Sequence, residues 1–255
     1  MFQAPTSPSG VRLRERILVM GSFGTGKTYG WLKIAEWMQR TESPGHVYVI
    51  DTDRAAERML APGGDFDDLA NVTVRDVYEW TQYQDALEEF LPILTEHDWL
   101  VIDFVGSAWS AVQDWYVETI YDSSIDEFFL QARLNMKSGN PLDGWKDWSV
   151  INRVYKKWMD KIVHRTASHV YMTAVADPVR DTDDQALRQI YGRIGARPRG
   201  QKDLGHHPHT VALNTALGNE WYMTTVKDRS RPLVTGKQIN DFAIDYLVNI
   251  AGWSV

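Results

Sequence analysis

Gly21-Ser22-Phe23-Gly24-Thr25-Gly26-Lys27-Thr28 stands between two contrasting runs. Before it, Arg16 to Met20 (Arg-Ile-Leu-Val-Met) is a short apolar run that ends at a glycine, the pattern of a buried strand. After it, Trp31, Ile34, Ala35 and Met38 recur at helical spacing, so a helix is expected over Thr28 to Arg40. A strand, a glycine-rich turn and a helix in that order do something physical. The glycines let the main chain curl until its N–H groups point inward, and the helix contributes the positive end of its dipole. That combination attracts phosphate.

The eight residues match G-x-x-x-x-G-K-[ST] in the strand–loop–helix frame that gives the pattern its meaning. On this reading Gly21, Ser22, Phe23, Gly24, Thr25 and Gly26 wrap the phosphates of ATP. Lys27 reaches the β- and γ-phosphates, and the Thr28 hydroxyl ligates Mg2+. A second metal element is expected at Asp103. It ends the apolar strand Trp99-Leu100-Val101-Ile102, so its carboxylate emerges beside the phosphates and holds Mg2+ through water. Hydrolysis also needs a group to orient or deprotonate water, and the next residue, Phe104, cannot do so. Another pair of carboxylates, Asp51 and Asp53, closes the strand Val47 to Ile50. Two apart, they share a face if the strand continues. The competing reading of Asp53 is a helix N-cap for Arg54 to Leu60.

Outward from these motifs the chain alternates strands and helices. Strands are expected at Val72 to Val77 and His169 to Ala174, and helices at Glu79 to Leu94 and Trp148 to Thr166. Between them, Val105 to Asp147 reads as one or two helices and then a turn at Gly139-Asn140-Pro141. Asp177 to Pro208 reads as a loop with a short helix. His209 to Thr215 and Trp221 to Val226 form a hairpin around Gly218-Asn219, and a helix over Ile239 to Ile250 closes the chain. This order predicts an α/β fold with a mainly parallel central sheet flanked by helices and a C-terminal antiparallel hairpin. Its ligands should lie at the carboxyl ends of the strands. Residues 1–14 read as a flexible arm and 15–255 as a single domain.

Composition narrows the classes. The 255 residues are 44% hydrophobic and 24% charged, ordinary for a soluble globular chain, and include no cysteine. Disulfides, thiolate zinc sites and cysteine nucleophiles are thereby excluded. A net charge of −7 argues against a broad nucleic-acid coat but leaves room for a local basic groove. No stretch approaches the roughly 18 apolar residues of a membrane span, and a cytoplasmic location with no membrane partner is expected. Most of the eleven tryptophans should be core. His206, His207 and His209 lack an acid or cysteine to complete a zinc set and read as loop histidines.

The Asp51-Thr52-Asp53 strand end, directly after the phosphate-loop helix, resembles the RecA recombinase core. The resemblance implies a RecA-like P-loop fold in which Asp53, one methylene shorter than the usual glutamate, polarises the attacking water. It also implies that Thr173, ending Tyr171-Met172-Thr173, is a polar sensor. In Val226-Lys227-Asp228-Arg229, Lys227 and Arg229 resemble the paired basic residues that such protomers push into a neighbour's γ-phosphate. The implied assembly is a homo-oligomer, ring or filament, with ATP sites between protomers. The stretch after the Thr173 strand matches the position of DNA-gripping loops. It carries Arg188, Arg193, Arg197, Arg199 and Lys202 among glycines, with Tyr191 able to stack on a base. Over Arg16 to Leu233 the order looks most like phage nucleotide-binding ATPases of recombination, single-strand annealing or replication. Single-stranded DNA, and other recombination or replication proteins, are then the partners.

Three other functions share this site chemistry. A packaging or helicase motor usually needs attached domains for which 255 residues leave no room. A small-molecule kinase would use Arg188 to Arg199 as a lid. A nucleotide-switched binding module would hydrolyse slowly, consistent with the short Asp53.

Overall fold

The computed structural model describes residues 14–135, 141–143, 146–218, 220–229, 231, 238–239 and 242–253. The expected turn at Gly139-Asn140, the hairpin residue Asn219 and nearly all of the N-terminal arm lie outside them.

In chain order the strands are β1 (Arg16–Gly21), β2 (Val47–Asp51), β3 (Val72–Asp76), β4 (Trp99–Asp103), β5 (His169–Pro178), β6 (Ala196–Pro198), β7 (Thr210–Leu217), β8 (Glu220–Asp228) and β9 (Gln238–Ile239). The helices are α1 (Lys27–Arg40), α2 (Glu57–Leu60), α3 (Trp80–Phe90), α4 (Val105–Tyr121), α5 (Ile125–Asn135), α6 (Asp147–Asp160) and α7 (Gln185–Tyr191). One sheet holds all nine strands in the order β3-β2-β4-β5-β1-β7-β8-β9, with β6 paired to β5. From β3 to β7 the neighbours are parallel, and β7–β8 and β8–β9 are antiparallel. The α/β fold read from the sequence is the fold observed.

Strand alternation explains the layers. Leu18 and Met20 of β1 face one side, and Ile17 and Val19 face the other; all four are fully buried. The first side packs on α3, α4 and α6 through Trp80, Leu87, Val112, Ile151 and Trp158. The second packs on α1 and the C-terminal segment through Trp31, Ala35, Met38 and Leu247. A sheet covered on both faces needs such unbroken apolar runs, and these runs made β1, β2 and β4 readable. Trp31, Trp80, Trp99, Trp158 and Trp253 are core. Among the described residues Trp221 is the one tryptophan in the exposed class, and it stands at the carboxyl edge of the sheet.

Several boundaries differ from expectation. Helix α3 stops at Phe90, two residues before Pro92, which cannot donate to a continuing helix. After α6 the chain widens into a π-helical turn over Lys161–Arg165 instead of continuing as α-helix. The closing helix starts only at Phe242, because Gln238–Ile239 are drawn into the sheet beside β8. The largest correction is at Asp177 to Pro208, expected as a loop with a short helix. Strand β5 runs on to Pro178 and pairs with β6, and α7 and a 3-10 turn at Leu204–His206 fill the rest. Tyr191 is fully buried there, against Gly205, and is not a free stacking platform.

Candidate nucleotide site

The loop between β1 and α1 closes at the carboxyl edge of the sheet. Gly24 and Gly26 adopt positive φ, 68° and 77°, where a side chain would strain the turn. The loop is braced internally. Thr25 Oγ1 donates to the Ser22 carbonyl at 2.9 Å, and Lys27 Nζ donates to the same carbonyl at 2.7 Å. Burial lowers the Lys27 pKa, opposed by the charges of Asp103 and Asp53. A cleft of about 710 Å³ opens above the loop, with Lys27, Thr28, Asp53 and Phe104 in its wall.

Strand register brings the carboxylates together. Asp51 and Asp103 are Cα partners at the ends of β2 and β4. Asp103 is fully buried and held by three donors. Thr28 Oγ1 donates to Oδ2 at 2.9 Å, Trp31 Nε1 to Oδ2 at 3.1 Å, and Thr173 Oγ1 to Oδ1. Burial raises the Asp103 pKa, and the hydrogen bonds from Thr173, Trp31 and Thr28 oppose the shift. Thr28 and Asp103 thus meet, as their motifs imply. They offer hard oxygens, the donor chemistry of Mg2+, a cation that keeps waters and phosphate oxygens in its remaining positions. Among the described residues no cluster of three or more His, Cys, Asp or Glu could hold a metal.

Asp53 is exposed at the cleft wall and also accepts the Ala55 N–H at 3.2 Å. Asp53 thus lines the cleft, but it does not cap the helix: α2 begins at Glu57 with Ala56 as its N-cap and no side-chain cap bond, and the Ala55 contact closes a turn ahead of it. Asp51 is buried behind it and accepts the N–H groups of Asp53 and Arg54 at 3.2 and 3.1 Å. These bonds set the turn, with Arg54 at φ 55°, that carries Asp53 to the cleft. Burial pushes the Asp51 carboxyl up to about 6; the N–H of Asp53 opposes this, and the charges of Asp103 and Asp53 add to it.

A pH-dependent cost follows. A folded pKa raised above an unfolded value of about 3.9 favours the protonated form in the fold. The stabilisation is complete below about pH 4 and is lost as pH rises through 6, leaving a buried charge that costs on the order of 3 kcal/mol at pH 8. Asp51→Asn keeps an acceptor for both N–H groups without the charge. In magnesium-free buffer its melting temperature is expected to exceed wild type at pH 8, with the gap closing toward pH 4. Thermal melts across that range check it, and a gap that does not close contradicts the linkage.

Thr173 is buried and bonded to Asp103, so any sensing of phosphate by Thr173 passes through that carboxylate. The remaining expected residues do not converge on the loop. Lys227 and Arg229 sit at the opposite edge of the sheet, because β8 runs antiparallel to β7 and Asp228 pairs with Thr210. Lys227 lies six positions along the strand from Trp221, roughly 20 Å at about 3.3 Å per residue. Lys227 Nζ donates to the carbonyls of Gly205 and Pro208 at 2.8 and 2.9 Å, and Arg229 Nη2 donates to that of His206 at 3.0 Å. In the basic segment Arg197 pairs with Asp183 at 3.1 Å and Arg199 with Asp177 at 2.8 Å. Arg188, Arg193 and Lys202 are exposed and make no ion pair among the described residues.

Three contributors escaped sequence reasoning. Helical spacing assigned Trp31 to the core, where its ring does lie, but its indole N–H serves Asp103. Asn214 at the end of β7 donates to the Thr25 carbonyl at 3.2 Å, and Trp221 Nε1 donates to that of Gly24 at 3.0 Å. No local signal marks either, since both reach the loop across the sheet edge.

A phosphate-cradling loop between β1 and α1, facing a buried aspartate at the end of a parallel strand, defines a P-loop nucleoside triphosphatase. The family model described as AAA domain matches residues 14–202, well over half of the chain, and the chain belongs to that family. It is a nucleotide-hydrolysing P-loop ATPase. No curated protein matches it. Among the described residues no helix is long and apolar enough to cross a membrane.

Proposed function

We propose that this ATPase acts on single-stranded DNA, in recombination, annealing or replication of the kind its RecA-like order of motifs implies. Thr28 and Asp103 would hold Mg2+, which would supply charge neutralisation on the β- and γ-phosphates. Asp53 orients the attacking water, as the exposed carboxylate on the cleft wall. Protomers work as a homo-oligomer, in which Lys227 and Arg229, far from their own loop, would reach a neighbour's phosphates by giving up their bonds to the Gly205, Pro208 and His206 carbonyls.

One observation carries the DNA reading. The segment bearing Arg188, Arg193 and Lys202 lies at the carboxyl edge of the sheet, in contact with the first turn of the helix that follows the Asp103 strand. The Arg199 carbonyl packs so closely on Gly106, in the first turn of α4, that a Cβ there would come within 2.9 Å of it. A phosphate backbone that pulls on the basic segment would move the start of α4, and with it the Asp103 end of β4. Glycines at 195 and 200 have the positive φ that lets the segment bend around these contacts.

The test is steady-state ATP hydrolysis with no DNA, with single-stranded DNA and with duplex, at low and high salt. Stimulation by single strands is expected, and it should fade with salt as released counterions lose their advantage. In the same assay Asp53→Asn should lose turnover under every condition while still binding ATP. A rate indifferent to all nucleic acids removes the DNA reading. ADP release that depends instead on a small acceptor would make the protein a kinase.

A further inference from the structure

We infer that Trp221, at the start of β8, is the platform on which the base of ATP stacks. The inference rests on the cleft being the ATP site and is independent of the DNA reading. The family match ends at residue 202, so nothing in it assigns the β7–β8 hairpin a role.

The geometry of the cleft gives the direction. The groups that handle the terminal phosphate, Lys27, Asp103 and Asp53, lie toward β4 and β2. Strands β7 and β8 lie on the other side of β1. A triphosphate with its γ-phosphate at Lys27 therefore sends its nucleoside the other way, toward the hairpin. There the wall of the cleft includes Phe23, Trp221, Tyr222 and Met223.

Trp221 is built for contact from outside. It is 55% exposed in a protein whose other described tryptophans are buried or half-buried. Its ring is nonetheless fixed. Nε1 donates to the Gly24 carbonyl at 3.0 Å, and Cδ1 lies 3.8 Å from the position of a Cβ on Gly26. A large aromatic held in one orientation over the phosphate loop, with over half its surface open, offers a π-face at low entropic cost. Asn214 ties the neighbouring strand to the Thr25 carbonyl, so the hairpin is joined to the loop at two points. The base stacks on a surface whose position is set by the loop that holds its phosphates.

The test is calorimetric titration of the full chain with ATP and, separately, with inorganic tripolyphosphate, on wild type, Trp221→Ala and Trp221→Phe. Loss of one stacked base contact is expected to weaken ATP about 10- to 100-fold in Trp221→Ala, with tripolyphosphate binding unchanged. Trp221→Phe keeps an aromatic face but cannot donate to Gly24, and it should retain most of the ATP affinity. Equal weakening of both ligands would mean that Trp221 only shapes the loop and would overturn the inference. So would undiminished ATP binding in Trp221→Ala, or a Phe variant as weak as the Ala variant. A wild type that binds neither ligand would remove the ATP site itself, and the inference with it.

Discussion

Lys27→Ala is expected to lower ATP turnover by at least about a hundredfold, and by a thousandfold if the ammonium acts mainly on transition-state charge. The loop needs Lys27 for chemistry more than for shape. Among the described residues its ammonium donates to the Ser22 carbonyl, which Thr25 also satisfies. Burial already works against its charged form. Removing it should therefore leave the melting temperature close to wild type while phosphate affinity and turnover collapse. Steady-state hydrolysis and a thermal melt on the same preparation check both halves. A variant that keeps a tenth of the wild-type rate would show that the loop is not the catalytic phosphate site.

The second large effect is at Asp103, where two substitutions separate catalysis from folding. Asp103→Asn keeps one oxygen to accept from Thr28 and Trp31, lets its amide NH2 donate to the Thr173 hydroxyl, which turns to accept, and removes a fully buried charge. It should fold at least as well as wild type at neutral pH in magnesium-free buffer. Turnover should still fall by about two to three orders of magnitude, because an amide is a poor partner for a hydrated divalent cation. Asp103→Ala should lose turnover and stability together. It strands three donors in the interior, each costing about 1–3 kcal/mol when unpaired. Hydrolysis as a function of Mg2+ concentration and thermal melts distinguish the two. If Asp103→Asn keeps normal turnover, the carboxylate is a structural hub for three side chains and the metal assignment fails.

The division between what could and could not be read from the residues follows the range of the interactions. Local pattern sufficed for β1, the phosphate loop and α1, since glycine freedom, the Lys27–Thr28 pair and helical spacing are properties of adjacent residues. It also sufficed for Asp103 as the polar end of an apolar strand. It misjudged Asp177 to Pro208, where weak periodicity suggests a loop. The β5–β6 pairing there depends on a turn and on the ion pairs Arg197–Asp183 and Arg199–Asp177, which tie residues 14 and 22 positions apart. Local pattern assigned Lys227 and Arg229 to a neighbour's phosphate; the reversal of β8, which carries them to the edge of the sheet away from their own loop, is a tertiary fact.

By itself, then, the sequence determined a P-loop ATPase with Lys27, Thr28 and Asp103 at its centre, because those residues act through the loop and strand they belong to. Only the tertiary structure decided what surrounds them. It placed Trp31 and Thr173 on the Asp103 carboxylate, buried Asp51 behind the turn that presents Asp53, and hung Trp221 over Gly24. Those contacts join residues far apart in the chain, and the order in which parallel strands assemble determines which of them meet. Strand order is settled by packing both faces of the whole sheet, and no single stretch of sequence contains that.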